Sequence, residues 1–475
     1  DTLSKNVQTA MSGNYTIGGT TPDYNTFNDA LNDLVARGVC GPTNFNVRDG
    51  DYDEQMNIPA IGGASAINRI TFQSQSADST KVRLHKAANV SQNWLINLNG
   101  ADYITFKKMT LERDGISGAG VVVLMNNGTT GDWILNCRLY ARYQSATCIL
   151  NQSSGQNTAD SLCIFRNNLL KRANYGLYWY GATTSYKPGV VFENNTCDSQ
   201  YAYAIYSYYN NDCKYRGNTI TNAGAGTTGG MGFYLYYSNG KLEVINNKVI
   251  GGSGTYYGIY QYYCTATSTT HGIIANNMIS LPNSGYYGMY QYGNNYQDVV
   301  YNNILMSGTN TYYSYYTTSG SGGNIFMKNN NFVNLGGSYA MYCAAPSYFS
   351  ACDNNNFWAP GAANFAYWNA DYNSISSYRS GTGQTNSQNV NPSFISNTDL
   401  HVQGNGINNK GAAYTTVTYD IDGDTRSGTT PDIGADEFTP VPDDAGILTL
   451  DSPTVYCGGV KNIKVKIIFY NQEIF

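Results

Sequence analysis

VINNKVIGGSGTYYGIYQYYCTATSTTHGIIANNMI, residues 244–279, holds one full repeat of this chain, and its reading decides the fold. It begins and ends on one hexapeptide pattern, VINNKV and IANNMI, with the aromatic block GIYQY between them. The hexapeptide returns as FRNNLL, FENNTC, YRGNTI, VYNNIL, MKNNNF and CDNNNF, and its second-asparagine position falls at 168, 195, 218, 247, 277, 303, 330 and 355. Fainter copies reach upstream in ITFKKMTL (104–111) and WILNCRLY (133–140). The aromatic block recurs in phase as GLYWY (176–180), AIYSY (204–208), GFYLY (232–236) and GMYQY (288–292), and more loosely as YSYYT (313–317) and AMYCA (340–344). Its central tyrosines, Tyr178, Tyr206, Tyr234, Tyr260, Tyr290, Tyr315 and Tyr342, are spaced by 28, 28, 26, 30, 25 and 27 residues.

A drifting period with two short β-type segments and Gly/Asn/Ser turns per repeat describes a solenoid. The repeat is too irregular and too poor in helix formers for helical coils, whereas a parallel β-helix takes extra residues into its turns. We therefore expect an all-β chain, a right-handed parallel β-helix of about ten or more coils. Alternation within each segment sorts its side chains. In the hexapeptide, Phe165, Phe192, Tyr215, Val244, Ile274, Val300, Met327 and Cys352 form an inward column. By the same parity the first asparagine points inward, at Asn167, Asn194, Asn246, Asn276, Asn302, Asn329 and Asn354, with Gly217 in the series. Stacked amides can satisfy one another from coil to coil. The next column outward places Arg166, Glu193 and Arg216 on adjacent coils, an ion-pair ladder.

In the aromatic block, Leu177, Ile205, Phe233, Ile259, Met289 and Met341 read as inward. Tyr178 and Tyr180, Tyr206 and Tyr208, Tyr234 and Tyr236, Tyr260 and Tyr262, and Tyr290 and Tyr292 then face outward as a two-column strip. Rings with hydroxyls suit a polysaccharide, which makes these ten tyrosines the candidate ligand-binding residues. Two other readings stay open: a ladder that stiffens a flat sheet, and a face covered by a partner chain such as another surface protein.

The chain divides into an N-terminal segment with a capping helix (1–45), the β-helix (46–375), a C-terminal cap (376–440), and a linker with the truncated start of a β-sandwich, Ig-like module (441–475). The capping helix is TFNDALNDLVAR (26–37), with Phe27, Ala30, Leu31, Leu34 and Val35 as its apolar stripe, Thr26 as N-cap and Gly38 as stop.

The ends also carry a resemblance. NYTIGGTTPDYNTFNDALNDLVARGVCGP with NFNVRDGDYDEQMNI and NRITFQSQS, and the closing NPSFISNTDLHV and DIDGDTRSGTTPDIGADEF, resemble secreted right-handed β-helix proteins of Bacteroidota. That resemblance implies a pectin-lyase-like architecture, a place outside the cell or on its surface, and type IX secretion machinery as a partner during export. It implies no activity, because such solenoids serve enzymes and adhesins alike.

Composition narrows the partners. With 44 tyrosines among 475 residues, 12% charged residues and net charge −5, the chain offers no basic block for nucleic acid and no apolar run for a membrane span. Its ten cysteines show no C-x-x-C pair; in an oxidising compartment they permit disulfides, and otherwise they are small buried side chains. Catalysis finds little support. Between residues 176 and 370 the acids are Glu193, Asp198, Asp212, Glu243, Asp298 and Asp353, with no recurring carboxylate pair of the kind glycoside hydrolysis uses. The Gly-His-Gly of polygalacturonases is absent, and His271 reads as a turn residue. Asp49, Asp51, Asp53 and Glu54, beside Arg48, read as a solvated acidic turn. Asp420, Asp422 and Asp424 in DIDGDTR have the alternation of a calcium loop, for a structural calcium, or are neutralised internally by Arg426. The expected role is adhesion or polysaccharide binding outside the cell. The alternatives are a polysaccharide lyase or glycoside hydrolase and a purely structural stalk or filament.

Overall fold

The computed structural model describes residues 9–440 apart from 88–90, 115–119, 143–146, 153–160, 182, 184–185, 187, 227–228, 284, 310 and 319–320; beyond 440 it describes strands at 445–452, 464–469 and 472–473. Strands recur in the order A, B, C around each coil. Sheet A runs in 13 strands from Met11–Ile17 to Phe349–Asp353, sheet B in 12 from Gly50–Asp53 to Asn356–Trp358, and sheet C in 13 from Met56–Pro59 to Asp371–Tyr372. Twelve complete coils result, every neighbouring pair within them parallel, as the repeats require. The tail differs: Ala445–Ser452, Lys464–Phe469 and Gln472–Glu473 pair antiparallel.

The hexapeptide forms the corner between sheets A and B. Its first asparagine is a turn residue, with positive φ at Asn167, Asn194, Asn246, Asn276, Asn329 and Asn354. Lys108 and Asn136 do the same in the fainter copies. One left-handed residue between two strands breaks the alternation, so parity counted across it fails. The inward ladder is built instead by the second asparagine: Asn168, Asn195, Asn218, Asn247, Asn277, Asn302, Asn330 and Asn355, all buried. Asn247 is representative. Its Oδ1 accepts from the Asn218 backbone N–H at 2.9 Å and from Asn218 Nδ2 at 3.0 Å, and its own Nδ2 donates to the Tyr215 carbonyl at 2.9 Å and to Asn277 Oδ1 at 2.9 Å. Of the asparagines expected inside, only Asn302 stands in the ladder, because the VYNNIL coil is shifted by one residue. There Tyr301 takes the left-handed position, and Val299, not Val300, pairs with Ile274 and Met327 in the inward column.

That column is the apolar core, running Phe45, Phe72, Phe106, Ile134, Phe165, Phe192, Tyr215 and onward, all buried. Phe45 stacks on Phe72 at 4.7 Å and Phe72 on Phe106 at 5.3 Å. On the outer side of sheet A, Glu193 bridges Arg166 (2.8 Å) and Arg216 (3.3 Å), so the expected ion-pair ladder is present.

Both ends are closed. Helix α1 (Phe27–Arg37) carries a capping box between Thr26 and Asp29 and buries Phe27, Ala30, Leu31 and Leu34. Val35, expected in the same stripe, is instead exposed. Glu54 is no solvated acid: its carboxylate accepts the backbone N–H groups of Phe27 and Asn28 at 3.0 Å each, a charge placed at the helix N-terminus. Glu54→Ala should cost about 1 kcal/mol, read as a lowered melting temperature with the fold retained; an unchanged melting temperature would make the contact idle. Asp51 and Asp53 also leave the expected turn. They lie on the first strand of sheet B, paired with Arg83 (3.0 Å) and Lys86 (3.2 Å).

At the far end α2 (Ile375–Thr382) sets buried Tyr378 against Phe357, Phe365 and Tyr372. Ser387 Oγ accepts the N–H of Asn355, so a hydroxyl ends the amide ladder. Residues 391–438 then turn back along the A–B corner as a strap. Asn354 donates to the Lys410 carbonyl, Asn329 exchanges bonds with Ala412, and Asn276 donates to the Tyr419 carbonyl. The nine described cysteines are free thiols, most of them buried as small core side chains; Cys457 lies outside the described residues.

Candidate functional site

The aromatic blocks are the strands of sheet C, and their burial pattern explains the tyrosine face. In Tyr175–Tyr180 the two residues after Tyr175 are both buried before alternation resumes. A small residue makes that possible: a Cβ on Gly258 would lie 2.6 Å from the Gly288 carbonyl oxygen and 2.3 Å from an Ile279 methyl. The irregularity turns a further tyrosine outward in most coils, at Tyr175, Tyr203, Tyr257, Tyr287 and Tyr313. Strict alternation hides this column, although the spacing Y-x-x-Y-x-Y in four coils marks it.

All ten expected strip residues are partly exposed and in register. Along one column, ring centroids lie 4.9 Å (Tyr178–Tyr206), 4.7 Å (Tyr206–Tyr234), 5.2 Å (Tyr234–Tyr260) and 4.8 Å (Tyr260–Tyr290) apart, with interplanar angles of 5–11°. The second column repeats this at 4.8, 4.6, 5.0 and 4.9 Å from Tyr180 through Tyr208, Tyr236 and Tyr262 to Tyr292. The first column continues through Tyr316, Tyr342 and Tyr367. Tyr315, counted from sequence as a central tyrosine, is wholly buried and donates to Gln291 at 2.7 Å; its neighbour Tyr316 takes the outer place. Eight coils at ~4.8 Å spacing give a face about 34 Å long.

Because each ring stacks on the copies above and below, a ligand meets ring edges and phenol hydroxyls rather than open ring faces. Burial, with neighbouring tyrosines as a second cause, pushes Tyr178 up to about 12 and raises Tyr206, Tyr234, Tyr260 and Tyr290 as well. These hydroxyls are therefore neutral donors and acceptors through the physiological range. The rise also sets a sign for alkaline titration. Native phenols keep protons that unfolded ones release, so the stability they contribute is whole below pH about 10 and is lost as pH climbs toward 12. Tyrosinate absorbance followed beside circular dichroism should show part of the ionisation arriving only with unfolding; complete ionisation near pH 10 with the fold intact would contradict the stacked geometry.

The acids of these coils are committed elsewhere. Glu193 and Glu243 bind Arg216, Asp198 binds Lys171, Asp298 accepts from Tyr414 and pairs with His271 at 2.8 Å, and Asp353 holds Asn386. Asp212 accepts the Lys241 backbone N–H. His271 is thus tied to a carboxylate rather than an idle turn residue.

The expected calcium loop is arranged differently. Asp420 and Asp422 are grouped with Asp436, one oxygen of each within 4.8 Å of the others, while Asp424 stands outside the group. Asp420 Oδ1 accepts from the N–H groups of Asp422, Gly423 and Asp424, and its Oδ2 from Glu437. Asp436 accepts from Val402, and Asp422 from His401 at 2.7 Å. Calcium takes six to eight oxygens, and oxygens already engaged in this way fit a hydrogen-bonded turn better. Chelation with EGTA should leave the melting temperature within about 1 °C; a larger fall would restore the ion.

Similarity to known proteins follows the same outline. The family described as right handed beta helix region matches residues 73–266. Among solved structures, the chain is similar to a pectin methylesterase from Aspergillus niger (14% identity, TM-score 0.29, covering 68% of this chain and 82% of that one). It is also similar to a GH136 lacto-N-biosidase from Eubacterium ramulus (10%, 0.40, 79% and 68%) and to PfbA, a surface adhesin of Streptococcus pneumoniae (8%, 0.34, 71% and 86%). No curated protein matches. No described helix is long and apolar enough to cross a membrane.

Proposed function

We propose that this chain is an extracellular ligand-binding β-helix that adheres through its tyrosine face, and that the ligand is a polysaccharide. The observation that carries this reading is the unbroken outer column from Tyr178 to Tyr367, with a second alongside it from Tyr180 to Tyr292. A rigid row of neutral hydroxyls and ring edges, repeated once per coil, matches a polymer that repeats hydroxyls and C–H edges along its own length. The commitment of the nearby carboxylates to other partners favours binding over cleavage.

Retention on a panel of polysaccharides, with product size read in the same assay, tests the proposal. Tyr206→Ala/Tyr234→Ala/Tyr260→Ala should fold as before and weaken retention about 100-fold, at about 1 kcal/mol for each lost contact. Shortened polymer would point to the lyase or hydrolase reading. Absence of retention by the unaltered protein would leave the columns as a stiffening ladder or a protein interface.

A further inference from the structure

Sheet B holds a second feature, made by residues that the tyrosine face does not use. Where three successive coils leave sheet B, a cavity of about 480 Å³ is lined by Arg113, Arg142, Lys171 and Arg172 together with Glu112 and Asp114. Both acids are engaged from outside the cavity: Arg83 binds Glu112 at 2.8 Å and Asp114 Oδ2 at 3.1 Å, and His85 binds the same Asp114 oxygen at 2.8 Å, while Asp114 Oδ1 has no hydrogen-bond partner among the described residues. Lys171 is offset by Asp198 at 3.2 Å. Among the described residues, neither Arg113 nor Arg172 has an ion pair. Arg113 is only 2% exposed, and its terminal nitrogens donate to the carbonyls of Lys86, Ala87 and Gln92. Those neutral acceptors satisfy N–H groups without cancelling the charge, and among the described residues Arg113 Nε has no acceptor. A concave site floored by a buried guanidinium focuses positive potential, in a chain whose net charge is −5.

Its position connects it with the tyrosine face. Arg172 is followed by Ala173 and Asn174, which turn the corner into sheet C, and Tyr175 is the first ring of the next strand. Tyr175 packs against Tyr178 at 5.0 Å and Tyr203 at 5.5 Å. The cavity therefore opens beside the end of the tyrosine columns nearer the capping helix.

We propose that this cavity is an oxyanion pocket that takes the carboxylate or sulfate of an acidic sugar unit, so that the polymer on the tyrosine face is an acidic one. The inference rests on the glycan reading of that face, yet the pocket can be tested without it. Guanidinium groups bind carboxylate and sulfate through paired N–H donors, and a single sugar unit needs no tyrosine column.

Isothermal titration of the full chain with glucuronate, glucose 6-sulfate and glucose supplies the first measurement. At least one of the two acids should bind, glucose should not, and the stronger of the two names the oxyanion. Arg172→Asn removes the charge while keeping a residue that tolerates the positive φ of 67°. That variant should weaken the acid about tenfold with the melting temperature unchanged, and added salt should weaken it further. Failure of both acids to bind, or equal binding by the variant and the unaltered protein, would overturn the pocket. Retention of a neutral polysaccharide that disappears in the tyrosine triple variant would then still uphold the tyrosine face, so the two failures separate.

Discussion

Asn247→Ala should cost this protein about 3–5 kcal/mol, while Asn246→Gly one residue earlier should change stability by no more than about 0.5 kcal/mol. The two asparagines are adjacent in VINNKV and have the same side chain, but the corner separates them. Asn247 Oδ1 is the acceptor for both the backbone and the side-chain amide of Asn218, and its Nδ2 serves the Tyr215 carbonyl and Asn277. Truncation leaves the two Asn218 donors unmet in a site that water does not reach, at about 1–3 kcal/mol for each buried group, and takes a side-chain hydrogen bond from the Tyr215 carbonyl. Asn246 is there for its backbone, with φ of 58°, a conformation glycine adopts at no steric cost. Chemical denaturation of the two variants gives the comparison. Equal losses would mean that the amide ladder has no larger role than the turn.

The second large effect is expected at Arg426. Its guanidinium, 6% exposed, lies 3.9 Å above the Tyr301 ring and binds Glu437 at 3.3 Å, Asn276 Oδ1 at 2.9 Å and the Gly434 carbonyl at 3.1 Å. One side chain thus ties two separated parts of the strap to two coils. Arg426→Ala removes the partner of a largely buried carboxylate and a cation–π contact together, a loss of about 3–5 kcal/mol. Because the solenoid beneath has its own core, the loss should appear as local opening. Hydrogen exchange and limited proteolysis within residues 391–438 should accelerate by more than a hundredfold while the amide ladder stays protected. Unchanged exchange in the strap would show that its other contacts suffice.

These two residues also mark what could be read from sequence. The repeat spacing was enough for the solenoid, because parallel coils stack like on like and stamp the same pattern at every turn. Alternation placed the tyrosine columns correctly, since each lies within one unbroken strand segment. It misplaced the asparagines because a left-handed residue resets the parity between two strands, and the one-residue shift at Tyr301 is invisible until Val299 is seen paired with Ile274. The strap was harder still. Its bonds join Asn276 to Tyr419 and Asn303 to Leu400, contacts with no periodic signature. The oxyanion pocket was missed for a related reason: Arg113, Arg142 and Arg172 come from three coils in a region where the repeat is faint.

The strap has a mechanical consequence. A plain solenoid pulled lengthwise can unzip from its last coil, each rung failing after the one before, because every coil is held only by its neighbours. Here the backbone leaving at residue 438 has first crossed the rungs from Lys248, which faces Asp422 at 3.9 Å, to Asn354. Tension entering there loads several rungs in shear at once, so the far end of the protein should yield as a block. An adhesive rod anchored through that end would bear load on its side bonds before its terminal coil was exposed.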